Sequence, residues 1–227
     1  MFDLQFNSLE HSNNERLASP KKRGDANLDN VLDYRTLLGK SQWRNLHPTI
    51  QKRFLEKACD KTTYRGVMSE IVLSGFGKLF AQLCRLIGTP LALYEGKNVP
   101  MTVNVYPDEK WGGMTWDRFY HYQHKPENRI RSTKCLLPQE GLVEMIGCGF
   151  GMQLKVSQQN GAIKFESDGY FVQLRNFKLK IPDIFAPGKT TVTQTAISDK
   201  KFEFKLIVEH RLLGLVYKQV GIFSAAE

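Results

Sequence analysis

The amino-acid sequence predicts an α+β, mainly β fold: N-terminal helices plus an antiparallel β-meander forming a barrel or half-barrel around or against the helix Ser74–Ile87. Three observations carry this expectation. Apolar residues recur with period two through most of the chain after Pro100. Turn dipeptides punctuate that stretch at Asn160-Gly161, Asp168-Gly169 and Pro187-Gly188. One strongly amphipathic helical pattern precedes it. Strands joined by tight turns are antiparallel neighbours. Roughly eight to ten of them, each apolar on one side, must bury that side by closing on themselves or by wrapping round a helix.

The elements follow in order. Residues 1–30 lack sustained periodicity and are rich in Asn, Ser, Lys and Asp, so they read as a disordered or loosely docked tail. Residues 31–227 read as one helix-supported antiparallel β domain. A short helix is expected over Val31–Leu38, ended by Gly39. A second starts at Pro48, which suits the first helical position because its missing N–H costs nothing there. Ile50, Phe54 and Ala58 then recur at spacing four among Lys52, Arg53, Glu56 and Lys57. In the third helix Phe76, Leu79, Phe80, Leu83, Leu86 and Ile87 form one apolar stripe. Ser74 can cap its start, and Gly88 with Pro90 end it. That stripe is expected to pack on the sheet or to wall a cavity.

Strands then read as Met101/Val103/Val105, Met152/Leu154/Val156, Ile163/Phe165, Phe177/Leu179/Ile181, Phe202/Phe204/Leu206/Val208 and Leu215–Phe223. Asn160-Gly161 and Asp168-Gly169 are expected to turn hairpins. A phase slip near Arg175-Asn176 points to a bulge. Lys155, Lys164, Lys178, Lys180 and Lys205 fall on the solvated side.

The charge is +9 over 227 residues. Residues 1–30 carry four basic and five acidic side chains, so the excess lies elsewhere, and it is spread as +3 over 31–60, +3 over 61–100, 0 over 101–150, +3 over 151–200 and +1 over 201–227. A nucleic-acid binder concentrates its charge on one face or arm, so a mildly basic solvated surface is the better reading. No apolar run approaches the ~20 residues of a membrane-spanning helix. Met1–Ser12 has no basic segment followed by an apolar one, so a cytoplasmic protein is expected. Cys59, Cys84, Cys135 and Cys148 match no zinc spacing. Cys84 and Cys148 read as small core residues.

Motifs narrow the chemistry. Gly147-Cys148-Gly149-Phe150-Gly151 has Met152 where a dinucleotide loop needs its third glycine, and a strand follows. These glycines therefore read as close backbone approach. His121 and His124, three apart on a strand, point to opposite faces and are not read as metal ligands. No cofactor is expected. In Trp116-Asp117-Arg118-Phe119-Tyr120-His121-Tyr122, alternation puts Trp116, Arg118, Tyr120 and Tyr122 on one face. If that face is inward, Arg118 needs a partner, because a buried unpaired charge is very costly. Glu144, within Leu142-Val143-Glu144-Met145-Ile146, is the natural one. This pair reads as a structural ion pair, or as the polar end of a pocket in which Arg118 meets a carboxylate or phosphate. A third reading, Glu144 as a general acid or base with its pKa raised by burial, lacks a nucleophile or second carboxylate.

Several segments together resemble the bacterial family catalogued as domain of unknown function 4166. They include Trp43–Phe54, Tyr64-Arg65-Gly66, Gly96-x-x-Val99-Pro100, Trp116-Asp117-Arg118-Phe119, Glu144 with Gly147–Met152, Gly161–Tyr170, Ile181-Pro182 and Pro187-Gly188. The segment His210–Phe223, with Gly214, Tyr217, Gln219 and Gly221, completes the set. The likeness covers most of residues 41–223 and rests largely on glycine, proline and aromatic positions. It implies fold more than chemistry, and it implies a saccharopine-dehydrogenase-like oxidoreductase as neighbour or partner. The candidate ligand-binding residues are Trp116, Arg118, Tyr120, Glu144, His210, Tyr217 and Gln219. The expected function is non-enzymatic binding of a small, largely apolar ligand with an acidic head, in an interior cavity of roughly 300 Å³ or more. The alternative is an accessory module docking on that oxidoreductase.

Overall fold

The computed structural model describes residues 32–55, 61–87, 91–174 and 177–226, with no side-chain account of Leu86 and Ile87. The expected tail lies outside the described residues, as do the helix end at Gly88 and Pro90 and the slip at Arg175-Asn176. Two helices, α1 (Tyr34–Arg44) and α2 (Pro48–Leu55), precede the first strand, β1 (Thr62–Leu73). Then come α3 (Gly75–Leu83), a 3-10 turn (Cys84–Ile87), β2 (Gly96–Pro107), β3 (Met114–Tyr120), β4 (Asn128–Leu137) and β5 (Gly141–Met145). The chain continues through β6 (Phe150–Gln159), β7 (Ala162–Leu174), β8 (Phe177–Ile181), a 3-10 turn (Asp183–Phe185), β9 (Lys189–Ala196), β10 (Lys201–His210) and β11 (Gly214–Ala225).

Every strand is antiparallel to its neighbours. The sheet order is β6-β5-β4-β3-β2-β1-β11-β10-β9-β7, and β6 pairs with β7 to close a barrel of ten strands; β8 lies outside it on β7. The meander is as expected, with Asn160-Gly161 turning β6 into β7 at positive φ. The second expected hairpin is different. Asp168-Gly169 lies inside β7, where the pairing slips between Met152 and Leu154 of β6, so these residues form a bulge. Above the bulge β7 leaves β9. Its lower part pairs with β9 from Ile163↔Gln194 to Glu166↔Thr191, and its upper part pairs with β8 from Tyr170↔Ile181 to Leu174↔Phe177. Side chains bridge the seam where the ladder stops. The Tyr170 hydroxyl meets the Gly188 carbonyl at 2.8 Å and the Thr190 hydroxyl at 2.7 Å, and the Thr190 N–H donates to Ser167 Oγ at 2.9 Å. Because β8 is outside the barrel, Phe177 and Leu179 are exposed and not inward-facing as their alternation suggested.

The two ends of the barrel differ. At the lower end α1 packs on β6, and α2 on β9 and β10. Asp33 caps α1, with its carboxylate accepting from the Arg35 N–H. Gly39, at φ 74°, kinks α1 where the sequence predicts a helix end. Tyr34, Leu38, Trp43, Leu46 and Ile50 are buried there. At the upper end lie α3, the 182–188 loop and the β10–β11 turn. Ser74 caps α3 through a bond from the Gly77 N–H, as expected. The buried face of α3 is Gly77 and Ala81, however, not the large apolar stripe. A side chain at position 77 would strike the Val216 carbonyl at 2.1 Å, so glycine lets the helix lie close on β11. Phe76, Leu79 and Leu83 are left exposed, and among the described side chains of the stripe Phe80 is the one that turns inward. The helix therefore covers one end of the barrel and is not enclosed by it. Among the described residues no helix is long and apolar enough to cross a membrane.

Candidate functional site

Alternation on β3 places Trp116, Arg118 and Tyr120 inside the barrel, opposite Ser132, Ile130 and Asn128 of β4. On β4 the inward register continues to Lys134, which faces Glu144 of β5. The inner wall thus carries a buried polar cluster. Lys134 Nζ lies 2.9 Å from Glu144 Oε2. The Ser132 hydroxyl donates to Glu144 Oε1 at 2.5 Å, and Arg118 Nη1 donates to Ser132 Oγ at 2.9 Å. Arg118 Nη2 stands 3.8 Å from Glu144 Oε1. The expected Arg118–Glu144 pair is present as an ion pair bridged by Ser132, while the direct partner of the carboxylate is Lys134. Sequence reasoning missed this lysine because a lysine in a strand reads as solvated. The available signal was its phase, shared with Ile130 and Ser132.

Burial alone would raise the Glu144 pKa. The Lys134 ammonium, the Arg118 guanidinium and the Ser132 hydroxyl outweigh it, so the carboxyl is held below its ordinary value. The expected upward shift is therefore reversed, and Glu144 is an anion, not an acid poised to give up a proton. Burial lowers the Lys134 pKa, with Glu144 opposing and Arg118 adding to the shift. The Lys134 ammonium also lies 4.5 Å from the Trp116 ring centre and 5.6 Å from that of Phe165. Below Phe165, Tyr34 is buried and its hydroxyl has no hydrogen-bond partner among the described residues.

Above this cluster the barrel is hollow. The cavity has a volume of about 170 Å³. That is smaller than the 300 Å³ expected, and close to the ~150 Å³ of an apolar cavity able to hold benzene. Its wall is mostly apolar, with Leu91, Ile130, Met152, Val192, Leu206 and Val208 among its residues. Phe80 and Cys84 bound it on the helix side, and Phe185 and Pro187 at the seam between β7 and β9. Arg118 and Lys134 are the cations among its described lining residues, and Glu144 the one carboxylate.

A second polar group faces the cavity. Tyr120 and Tyr217 both donate to Gln219 Oε1, at 2.9 and 2.8 Å. Burial raises the pKa of both tyrosines, so the hydroxyls stay protonated. Of the seven candidate residues, Arg118, Tyr120, Glu144, Tyr217 and Gln219 line the cavity. Trp116 sits below Arg118 on a separate void of about 20 Å³, shared with Arg53, Tyr64 and Phe202. His210 is buried at the upper end of β10, where its Nδ1 accepts from the Leu212 N–H at 3.2 Å and Phe76 lies 6.3 Å away. Cys84 is buried as expected, but Cys148 is exposed in the β5–β6 turn at φ 50°. The adjacent Gly149 fits close backbone approach: a side chain there would strike the Gln173 carbonyl at 2.1 Å. His121 is held by Thr102 at 3.1 Å and Glu127 at 2.9 Å, on the outer face.

Fold and site together define a closed antiparallel β-barrel, plugged by aromatic residues at one end and hollow at the other, with a buried charge cluster between. Residues 46–223 match the family model described as a domain of unknown function (DUF4166), and the chain belongs to that family. No curated protein matches it.

Proposed function

We propose that the barrel binds a small, largely apolar ligand carrying an anionic head, without transforming it. The observation that carries this is the charge count of the cavity wall: two cations, the buried Lys134 and the largely buried Arg118, share one carboxylate, Glu144. A net positive charge in an apolar hollow is costly, and a ligand carboxylate would neutralise it while its apolar body fills the space above. The volume favours a molecule the size of an aromatic ring or a chain of a few carbons. Glu144 is held by the Ser132 hydroxyl and the Lys134 ammonium, and its depressed pKa suits a counter-ion.

Hexanoate and benzoate, set against hexanol and benzyl alcohol, test this by calorimetry. The acids are expected to bind at least tenfold tighter than the alcohols, with Arg118→Met removing the difference. Equal binding of acids and alcohols, or no binding of either, overturns the reading.

A second reading is favoured by the rim of the cavity. Leu79, Leu83, Ile184, Phe185 and Leu212 are each more than half exposed at the upper end. Exposed apolar clusters mark interaction sites, and the saccharopine-dehydrogenase-like oxidoreductase that the family likeness implies is the candidate partner. Co-elution of the two proteins, lost in a Leu79→Ser/Phe185→Ser variant, would support it; separate elution of the unaltered chains would refute it.

A further inference from the structure

We infer that Gln219 is a second ligand-recognition point, selecting anions that also carry a hydrogen-bond acceptor. This rests on the ligand-binding reading above and specifies the ligand class. The orientation of the Gln219 amide follows from its neighbours. Tyr217 donates its hydroxyl proton to Gln219 Oε1 at 2.8 Å. Tyr120 donates to the same oxygen at 2.9 Å. With both tyrosines as donors, the carbonyl end of the amide must face them. The NH2 end then points the other way, and Nε2 makes no hydrogen bond among the described residues.

Gln219 is 2 % exposed and lines the cavity. A buried amide N–H without a partner is costly to leave unmade, and the orphaned buried side-chain atoms do not include this one. Its two donors are therefore accessible from the hollow. Tyr120 stands two residues from Arg118 on the same inward face of β3 and its hydroxyl meets Gln219 of β11, so the donors and the cation line one cavity. A ligand that places a carboxylate at Arg118 and an oxygen acceptor near Gln219 satisfies both. An anion with a purely hydrocarbon body satisfies only the first. The tyrosine pair makes Gln219 a positioned donor: two hydroxyls fix its plane, so little freedom is lost when a ligand binds.

The test compares benzoate with 2-, 3- and 4-hydroxybenzoate, a rigid series that samples three separations between carboxylate and oxygen. With the unaltered protein, at least one hydroxy acid is expected to bind about tenfold tighter than benzoate. In Gln219→Met that preference disappears while benzoate binding stays within threefold. Gln219→Glu, which keeps an acceptor for the two tyrosines and removes the NH2 donors, is expected to lose the preference as well and serves if the first variant fails to fold. Four acids binding within threefold of one another, or a preference that survives either substitution, overturns the inference and leaves the ligand-binding reading intact. If benzoate itself does not bind, both fall.

Discussion

Glu144 is the residue whose removal the structure predicts to be most damaging, because among the described residues it is the anion that neutralises both the buried Lys134 and the largely buried Arg118. In Glu144→Gln the shape is kept and the charge is lost. The amide oxygen can still accept from Ser132 or Lys134, but both Lys134 and Arg118 are left without an anion. Removing one member of a buried pair costs about 3–5 kcal/mol. A ceiling comes from the lysine itself, which escapes by shedding its proton. Taking a lysine from its ordinary value of 10.5 down to neutrality costs about 5 kcal/mol. The two limits agree, and for a chain of this size they correspond to a fall in Tm of roughly 6–20 °C.

Lys134→Met is predicted to cost less, under about 2 kcal/mol, since one cation then faces one anion and a buried ammonium is gone. The double variant should recover part of the Glu144→Gln loss. Urea unfolding followed by tryptophan fluorescence measures all three. A Glu144→Gln protein within about 1 kcal/mol of the parent, or a Lys134→Met protein less stable than Glu144→Gln, would refute the assignment of Glu144 as the shared counter-ion.

Other outcomes follow from the same geometry. Glu144 has a lowered folded pKa, so its contribution is present above the ordinary carboxyl value of 4.5 and is lost as pH falls through the folded one; the stability gap between parent and Glu144→Gln should narrow in acid, and a constant gap would contradict this. Gly77→Ala should destabilise, although alanine is favoured over glycine in helices by about 1 kcal/mol, because the added carbon meets the Val216 carbonyl at 2.1 Å; a gain in Tm would show that α3 is not held as described. Asp117 is buried and takes two bonds from Arg129, at 2.8 and 2.7 Å. Arg129→Ala should cost more than Asp117→Asn, by denaturant titration, because it strands a buried carboxylate while the half-exposed guanidinium loses little in water. Burial pushes the Cys84 thiol up to about 11 and the Cys135 thiol up to about 12, so in a Cys59→Ala background a neutral-pH thiol reagent should label Cys148 alone until the protein unfolds.

The barrel was legible because a one-sided sheet writes its period into the chain. Where legibility failed, the period was interrupted. β1 buries Tyr64, Met68, Ile71 and Leu73. Its register slips between Met68 and Glu70, so the alternation changes phase mid-strand and no single template fits it. Gly66 occupies an inward position without a side chain, where the Phe223 ring lies 2.4 Å from where a Cβ would sit. The bulge at Asp168-Gly169 looks like a hairpin turn because both need a glycine at positive φ, here 115°. The apolar stripe of α3 promised burial, yet a glycine and an alanine make the closest contact, and of the large side chains described Phe76, Leu79 and Leu83 are exposed while Phe80 turns inward. The charge cluster was half legible: Arg118 and Glu144 stood out as charges among apolar neighbours, whereas Lys134 and Ser132 shared only their phase with Ile130, and the β3–β4 register is what sets that phase inward.

The cluster's position explains why a protein would retain so costly an arrangement. Beneath it, Tyr34 packs edge to face on Phe54 and Phe165, and those two rings meet at a tilt, with ring centres 4.8 to 5.9 Å apart, so the lower half of the barrel is filled chiefly by aromatic side chains. Around it, the strands are continuously paired from β5 through β2. The open side is the cavity, toward the seam where β7 and β9 part. A charge flanked by low-dielectric walls focuses its field through whatever opening remains. Replacing the cluster with well-packed apolar residues would be neutral or favourable for folding alone. Its two-to-one ratio of cations to anions therefore makes sense as a feature directed at the hollow above it, and an anion entering there completes a balance that the folded chain leaves open.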